Sequence, residues 1–556
     1  MARIVKAVSF ALFSSFFIGG VALAQTVNAN SCSASDVQNA LNSVTAATTT
    51  VNIPSGTCTW STQVAFTVPS GNTSLTIQGQ TACTGSGDPY GSTSGVVSCT
   101  DSTAITDGYG SGMLQITGVP SSSLLRITGL TFAGGSSLSG VTPMISITGA
   151  SQSATLRIDH THMNLSTFSS GGNVGYEVYT VQGVMDHNLC DDNQGIGECI
   201  QVEAPAYGGA SWGDGSWNAP DNFGTSDAFY IEDNQFSQGW YIGDCHEGGR
   251  QVIRFNSFNN NRWQTHPTGA AGRYRGCRKT EAYGNQYNGS TACNGTSGYG
   301  NCATYFAWLS SGAALIWGNN APVVNSTTES GYNYVVWLES MRVSNTTYSE
   351  TASPNGWGYC GTAQSGSLSN WDQNSNITTG YHCLDQPGMG MGDLLSGNFP
   401  KACDQTKGCS TYSGSWPNEA LSPIYEWENT FTPVSDNPTA TANLNQSQFV
   451  DNTDYYLWCN SSPQNHSGCS SFNGTAGVGS GPLASSPSTC TTGVAYFGTD
   501  QGSWNQSGNG FGSGVLYQCS ATNTWTTYYS PYTYPHPLTQ ATGNLTPPTN
   551  VSAVGH

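Results

Sequence analysis

One short motif recurs along the first half of this chain, and it limits the possible folds more than any other feature. Each copy has an apolar residue, a few small or polar residues that often include Asn or His, and then an aromatic or apolar residue. Copies begin at Ile127, Ile158, Val184, Ile231, Ile253 and Ala282. The intervals between them are 31, 26, 47, 22 and 29 residues, with almost no helical periodicity. Such periods predict an all-β solenoid in which each coil contributes short strands to shared sheets.

Stacking of coils explains the composition of the motif. A single coil cannot bury its apolar residues, but stacked coils share a continuous core. Asn at the bend tolerates a left-handed backbone, and its side chain can hydrogen-bond to the equivalent Asn of the next coil. The 47-residue interval predicts a long loop at about residues 201–227, which carries Trp212 and Trp217. A propeller or a sandwich is the alternative, and the uneven spacing disfavours it.

Two segments near the N-terminus add to this pattern. Val51-Asn-Ile-Pro-Ser-Gly56 and Leu75-Thr-Ile-Gln-Gly79 look like the start of a β-helix, and the motif copies follow them. Over about residues 45–435 the chain therefore resembles the secreted proteins of the pectate-lyase-like superfamily. The resemblance implies a right-handed parallel β-helix. It leaves the activity open, because that superfamily includes polysaccharide lyases, hydrolases, epimerases and non-catalytic adhesive proteins.

The two ends of the chain differ from this central part. Residues 1–24 have the pattern of a secretory signal, with Arg3 and Lys6 before an apolar run and Ala22-Leu-Ala24 as the cleavage site. We expect a secreted, extracellular protein with a β-helix over residues 25–435, and no later stretch is apolar enough to span a membrane. Residues 436–556 lose the motif, and we expect either a β-rich cap on the solenoid or a small carbohydrate-binding-like module there.

The 18 cysteines indicate an oxidising compartment. They fall into close neighbours along the sequence, so local pairing is the simplest disulfide pattern. A zinc site is the alternative, and the lack of any CxxC pair in the sequence disfavours it. The expected bridges are Cys32–Cys58, Cys83–Cys99, Cys190–Cys199, Cys245–Cys277, Cys293–Cys302, Cys360–Cys383, Cys403–Cys409, Cys459–Cys469 and Cys490–Cys519.

Positive charge is concentrated in one place. The formal net charge is −19, which disfavours nucleic acid and anionic membranes as partners. Seven basic residues nevertheless fall within thirty positions, and we call them the basic cluster: Arg250, Arg254, Arg262, Arg273, Arg275, Arg278 and Lys279. Such a cluster either binds an anionic ligand or is neutralised by carboxylates close in sequence, such as Asp244, Glu247 and Glu281.

Strand alternation predicts how the basic cluster is arranged. If Ile231, Ile253 and Ala282 point into the core, their neighbours point outward and stack in rows along the solenoid. The expected rows are Ala228–Arg250–Lys279, Tyr230–Val252–Glu281 and Glu232–Arg254–Tyr283. One outer face would then carry Arg, Lys, Glu and Tyr side chains together.

An acidic polysaccharide is the partner that suits such a surface. Lytic cleavage of a uronate glycan by β-elimination needs a cation beside the carboxylate and a base for the C5 proton, and Arg can pair with a carboxylate bidentately. We therefore expect a polysaccharide lyase. The catalytic candidates are His266, Arg275, Arg278, Lys279 and Tyr283. The substrate-binding candidates are Arg250, Arg254, Arg273, Glu281, Trp212 and Trp217.

Three other interpretations stay open. Arg254 with Glu232, and Arg278 with Glu281 or Asp244, would also form structural ion pairs. A glycoside hydrolase would need clustered carboxylates. The candidates for that role are Asp227, Glu232 and Asp233. A non-catalytic glycan-binding or adhesive β-helix protein is the third interpretation.

A small cysteine-bounded loop offers a candidate calcium site. Asp191, Asp192 and Glu198 lie between Cys190 and Cys199, and Ca²⁺ prefers oxygen ligands. The resemblance implies such an ion as well, because in the resembling lyases calcium held by acidic residues often helps to neutralise the substrate. The spacing fits no EF-hand, and a solvated acidic loop is the alternative. The sequence carries no signal for the oligomeric state.

Overall fold

The computed structural model of the protein describes most of the chain between residues 25 and 540. The described residues are 25–91, 95–135, 142–166, 173–192, 197–210, 213–238, 241–267, 275–288, 305–321, 334–338, 376–377, 380–381, 385, 387–391, 420–431, 442–444, 451–458 and 472–540. The signal segment 1–24, Trp212 and Arg273 lie outside them.

Three long parallel sheets form the body of the protein, which confirms the predicted parallel β-helix. Each strand pairs with the equivalent strand of the next coil. The first sheet contains Gln25–Asn28, Thr48–Asn52, Ser74–Gln78, Leu124–Thr128, Thr155–Asp159, Gln182–Asp186, Phe229–Glu232, Arg250–Arg254, Lys279–Tyr283, Ala313–Trp317, Ile424–Trp427 and Tyr455–Tyr456. The second contains Gly56–Trp60, Thr103–Asp107, Thr131–Ala133, His162–Asn164, Leu189–Asp191, Gln235–Ser237, Ser257–Asn259, Gln286–Asn288, Asn320–Ala321 and Thr430–Phe431.

The third sheet has two sections in succession. The first section contains Val64–Thr67, Leu114–Val119, Pro143–Gly149, Asn173–Tyr179, Gly197–Glu203 and Cys245–His246. The second contains Trp263–Thr265, Tyr305–Leu309, Tyr334–Leu338 and Ala442–Leu444. The amide of His266 donates to the carbonyl of Cys245 over 3.0 Å, which joins the two sections.

The remaining elements are short. The α-helices are Ala34–Asn42 and Asp214–Trp217, and the 3₁₀ turns are Tyr207–Gly209, Leu483–Ser485 and Pro537–Thr539. Two antiparallel pairs are Ala82–Ser86 with Val96–Thr100 and Asn376–Ile377 with Gly380–Tyr381. A C-terminal sheet contains Val478–Gly481, Ala495–Gly498, Val515–Ala521 and Thr524–Tyr529. Within the described part of the chain, no helix is long and apolar enough to cross a membrane.

The strand register agrees with the predicted rows except at one motif copy. Tyr230, Val252 and Glu281 are aligned across three strands, as are Glu232, Arg254 and Tyr283, and Arg250 lies opposite Lys279. The start of the third copy was wrong by one residue. Met185, not Val184, pairs with Ile158 and Ile231 and points into the core. Val184 points outward.

A ladder of buried asparagines runs along the turn between the first and second sheets, and we call it the asparagine ladder. Each side-chain amide donates to the side-chain oxygen of the next member over 2.8–3.1 Å. Its members are Asn188, Asn234, Asn256, Asn285, Asn319 and Asn429. The left-handed residue is the one before each ladder asparagine, for example Asp233 (φ 61°) before Asn234. The ladder thus satisfies the polar groups of a turn that lies against the core.

Five of the nine expected disulfides are present. They are Cys32–Cys58, Cys83–Cys99, Cys190–Cys199, Cys245–Cys277 and Cys490–Cys519. At least one cysteine of each of the other four expected pairs lies outside the described residues. Each bridge links a cysteine to its predicted neighbour, so local pairing is confirmed for these five.

The C-terminal segment, residues 472–540, covers the outer face of the first sheet. The Tyr534 ring stacks on Phe255 at 3.9 Å between centroids, and Phe497 packs on Trp317 at 4.9 Å. A second apolar core therefore lies outside the solenoid, between this segment and the sheet. The predicted boundary at residues 435–436, and the choice between a cap and a binding module, stay predictions.

Removal of one ladder asparagine should destabilise the protein. In Asn256→Ala, the backbone N–H and the side-chain amide of Asn234 lose an acceptor, and the carbonyls of Ile231 and Arg254 lose a donor. Because each buried orphan costs roughly 1–3 kcal/mol, we expect the free energy of unfolding to fall by at least about 2 kcal/mol in a denaturant titration. Asn288→Ala is the control, because Asn288 is a half-buried residue on the second sheet in the next coil. This change should alter the free energy of unfolding by less than about 1 kcal/mol.

Candidate active site

Five members of the basic cluster lie in the interior. The side chains of Arg250, Arg254, Arg275, Arg278 and Lys279 are each 0% exposed. Residues 213–227 and the C-terminal segment cover them. The Lys279 ammonium, for example, donates to the carbonyl of Asn222 over 2.7 Å. In the described part of the chain, these five side chains therefore present no open surface to a polymer.

Arg254 is the centre of this group of five buried cations. We call the group, together with the carboxylates that pair with it, the buried layer. It pairs with Glu232 at 2.6 Å and donates to the hydroxyl of Tyr283 at 2.9 Å. It also donates to the carbonyls of Tyr532 and Thr533, which joins the C-terminal segment to the solenoid. The predicted Arg254–Glu232 ion pair is thus present, and it is buried rather than exposed. Burial raises the pKa of Tyr283, and its hydroxyl accepts from Arg254 in the interior, away from any open groove among the described residues.

The other four buried cations also have carboxylate partners. Arg250 pairs with Asp227 at 2.8 Å, Arg275 with Asp385 at 2.7 Å and with Asp214 at 3.0 Å, and Lys279 with Glu281 at 3.3 Å. Arg278 pairs with Asp221, so the proposed partners Glu281 and Asp244 were wrong. Burial lowers the pKa of Lys279. At least one carboxylate for each buried cation is the arrangement of a structural ion-pair layer.

The remaining candidates around the layer are also engaged. Trp217 is fully buried, donates to the carbonyl of Gly276 and lies under the Arg275 guanidinium at 4.8 Å. Glu281 accepts from the amide of Gly224 over 2.9 Å. Their substrate-binding roles, like the catalytic roles of Arg275, Arg278, Lys279 and Tyr283, stay predictions for which this geometry offers no open groove.

The candidate calcium ligands have protein partners. Asp191 lies 3.3 Å from Nε2 of His162, and Glu198 accepts from Nε2 of Gln201 over 2.9 Å. Asp192 accepts from the amide of Gly197. The three carboxylates do not converge into one group, so calcium binding there stays a prediction.

A different group of acidic and histidine side chains converges on the outer face of the third sheet. We call it the acid–histidine cluster: Glu177, Tyr179, Glu198, Glu203, Asp244, His246, Glu247 and His266. Strand alternation builds it, because Tyr179, Glu203 and His246 occupy one row across three paired strands. Neighbouring strands are about 4.8 Å apart.

Asp244, His246 and His266 form the centre of the acid–histidine cluster. Nε2 of His246 lies 2.9 Å from Oδ2 of Asp244, and the two imidazole rings stack at 4.0 Å between centroids. Nδ1 of His266 hydrogen-bonds the carbonyl of Pro267 at 2.9 Å. One ligand atom from each of the three lies within 4.8 Å of the others, so they could hold a metal ion.

The pKa values in the acid–histidine cluster are shifted. Burial alone would lower the pKa of His246, but the charge of Asp244 outweighs it and raises the pKa to about 9. Burial and the same Asp244 charge raise the pKa of Glu198 to about 8. Burial raises the pKa of Glu247 to about 7 and that of Glu203 well above its usual range. Such a concentration of shifted groups marks a candidate active site.

The buried acids lie next to the partly exposed side chains. Tyr179 and Glu203 are close enough to Glu177 to lower its pKa, although burial outweighs them. Burial raises the pKa of Glu177 and Tyr179. Glu177 and Glu203 are 8% and 7% exposed, whereas Tyr179, His246, Glu247 and His266 are partly exposed. The site thus has a buried acidic floor and a rim that solvent reaches.

Of the catalytic candidates named from the sequence, His266 is the one that lies in this cluster. The alternation Asp244-Cys-His246 was a usable signal, since it places both polar side chains on one face. Their proximity to Glu177 and Glu203 depended on the loop lengths between coils, which the motif does not define.

The comparisons with known proteins give weak structural likenesses. No protein-family profile and no curated protein match this sequence. An alginate lyase from Paenibacillus sp. str. FPU-7 is 12% identical with a TM-score of 0.28, over 56% of this chain and 98% of its own. The catalytic domain of a GH87 alpha-1,3-glucanase in complex with nigerose is 9% identical with a TM-score of 0.29, over 76% of this chain and 68% of its own. At these TM-scores neither likeness bears on the activity of the chain.

The buried layer should contribute to stability. In Glu232→Gln the Arg254 charge loses its carboxylate partner in the interior, so we expect a loss of about 3–5 kcal/mol in the free energy of unfolding. Asp500→Asn is the control, because it makes the same carboxyl-to-amide change at an exposed position. That change should leave the free energy of unfolding nearly unchanged. A Glu232→Gln protein with unchanged stability would contradict the structural role of the layer.

Proposed function

We propose that this chain is a secreted polysaccharide-active enzyme, a lyase that cleaves an acidic glycan by β-elimination at the acid–histidine cluster. The observation that carries the proposal is the convergence of two imidazoles, a phenol and several carboxyl groups on one partly exposed face. The parallel β-helix supports it, because an elongated sheet face suits a polymeric substrate. The disulfides support the extracellular location.

We give each part of the cluster a role in this reaction. Tyr179 and His246 lie two strands apart in one row, which is about 10 Å and leaves room for a sugar ring between them. The uronate carboxylate would lie against His246 and His266. Glu203, in the same row between them, would form the floor of the site.

Two rim groups would move the protons. The Glu247 carboxylate would accept the proton from C5, the C4–C5 double bond would form, and the C4–O bond would break. Tyr179 would give its proton to the departing oxygen. No water is consumed, and the product carries an unsaturated uronate at its new end.

Hydrolysis is the second candidate function. The specific observation in its favour is the proximity of the carboxyl groups of Glu177 and Glu203, since clustered carboxyl groups are what a glycosidase needs. The carboxylates first considered for this role lie elsewhere: Asp227 pairs with Arg250, Glu232 with Arg254, and Asp233 accepts from the hydroxyl of Tyr534 over 2.6 Å.

Product analysis distinguishes these functions. The test panel contains three uronate polymers, polygalacturonate, alginate and glucuronan, together with neutral glucans and xylan. From at least one uronate polymer, the protein should release products that absorb in the ultraviolet. New reducing ends without that absorbance would indicate hydrolysis instead. If no polymer in the panel is shortened, the enzyme proposal fails and a glycan-binding protein becomes the better interpretation.

Substitutions at the rim test the assigned roles. Tyr179→Phe and Glu247→Gln should each lower kcat at least about 100-fold, because each removes one proton-transfer group. Tyr90→Phe and Glu428→Gln are matched controls at partly exposed positions outside the cluster, and they should leave kcat unchanged. The thermal midpoint of all four variants should stay near that of the parent. Equal losses of activity in variants and controls would contradict the assignment.

A further inference from the structure

We infer that Asp244, His246 and His266 form a binding site for a divalent transition-metal cation. The binding of the ion follows from the geometry alone. Its role in catalysis, which is to neutralise the substrate carboxylate, rests on the proposed function.

The first argument is the convergence of the three side chains. One ligand atom from each lies within 4.8 Å of the others, and the backbone bond from the His266 amide to the Cys245 carbonyl holds the two segments together. His246 and His266 present parallel rings at 4.0 Å, with an angle of 13° between their planes. Side chains that the sheet already holds together lose little conformational freedom when they bind an ion.

The second argument is an oxygen that lacks a partner. Asp244 is 5% exposed, and its Oδ1 has no hydrogen-bond partner among the described residues. Gln264 is close enough to lower the pKa of Asp244, but it makes no hydrogen bond of normal geometry to Oδ1. A buried carboxylate oxygen without a donor is unfavourable, and a cation at this position would satisfy it.

The third argument is the support behind His266. The Nδ1–H of His266 donates to the carbonyl of Pro267, which orients the ring. Metal-binding histidines usually donate their other N–H to a carbonyl or a carboxylate in this way. The cysteine between Asp244 and His246 is fixed as well, by its disulfide to Cys277.

The ligand set indicates which ion fits. Two imidazole nitrogens and one carboxylate oxygen suit Zn²⁺, Mn²⁺ or Fe²⁺, whereas Ca²⁺ prefers six to eight oxygens. Three protein ligands also leave coordination positions for a substrate oxygen. The ion would supply the positive charge beside the uronate. The sequence predicted arginines for this role, but Arg250, Arg254, Arg275 and Arg278 are buried and paired with carboxylates.

A second histidine cluster in the same solenoid provides a matched control. His162 lies 2.9 Å from Asp101 through Nδ1 and 3.3 Å from Asp191 through Nε2. Both of its ring nitrogens therefore face carboxylates, and His162 is not part of the group formed by Asp244, His246 and His266. His162→Gln should leave metal binding unchanged. The same variant removes a partner of Asp191, one of the residues proposed for calcium.

Metal analysis of the full-length protein tests the inference. After removal of metals with a chelator and addition of Zn²⁺, Mn²⁺ or Ca²⁺ in turn, we expect about one Zn²⁺ or Mn²⁺ per chain, retained on gel filtration. Asp244→Asn and His266→Gln should each weaken binding at least about tenfold, with a thermal midpoint that shows a folded protein. In a Co²⁺-loaded sample the visible ligand-field bands should disappear in His266→Gln and persist in His162→Gln.

The outcomes separate this inference from the proposed function. Retention of Ca²⁺ alone, loss of the ion in His162→Gln, or undiminished binding in both cluster variants would overturn the metal site. Bound metal without product from any polymer would leave the site standing and refute the proposed function. Full lyase activity in the chelated protein would leave the function standing and refute the role of the ion in catalysis.

Discussion

The hydrogen bonds of the asparagine ladder hold the coils in register, and the rest of the structure depends on that register. Each ladder asparagine bonds to the next coil as well as to its own, so a strand that slipped by one residue would leave buried amides and carbonyls unpaired. With the register fixed, every outward position is repeated about 4.8 Å further along, and side chains far apart in sequence become neighbours in rows. Both the buried ion-pair layer and the acid–histidine cluster are built from such rows.

The two faces of the solenoid use these rows differently. On the first sheet, Arg254 and its neighbours are covered by the C-terminal segment, whose carbonyls at Tyr532 and Thr533 accept from the guanidinium. Burial there is tolerable because each cation has its own carboxylate and further acceptors. On the third sheet, Tyr179, His246, Glu247 and His266 stay partly exposed above their buried acids. The face on which the sequence concentrates the basic residues is therefore buried and ion-paired, and the face of the third sheet carries the candidate chemistry.

The local sequence pattern predicts the strand register, but it does not predict which segments cover the sheets. The row Glu232–Arg254–Tyr283 follows from alternation within single motif copies, and the structure confirms it. Val184 and Met185 are both apolar, so alternation could not decide which of them enters the core, and the prediction was wrong by one residue. The partner of Arg275 is Asp385, which lies 110 residues later in the chain. Contacts of that kind depend on loops whose path no repeat encodes.

The balance of charge separates the two sets of polar residues most clearly. In the buried layer Glu232 and Asp227 each face an arginine, as expected of groups retained for stability. In the acid–histidine cluster, Glu177, Glu198, Glu203 and Glu247 have His246 as the positive neighbour that they share. Crowding carboxyl groups around one imidazole costs stability, because burial and mutual repulsion both oppose ionisation. Only 8% of the residues in this chain are charged, and yet these carboxyl groups lie together in one place. Function is expected at such local departures from the rules of stability.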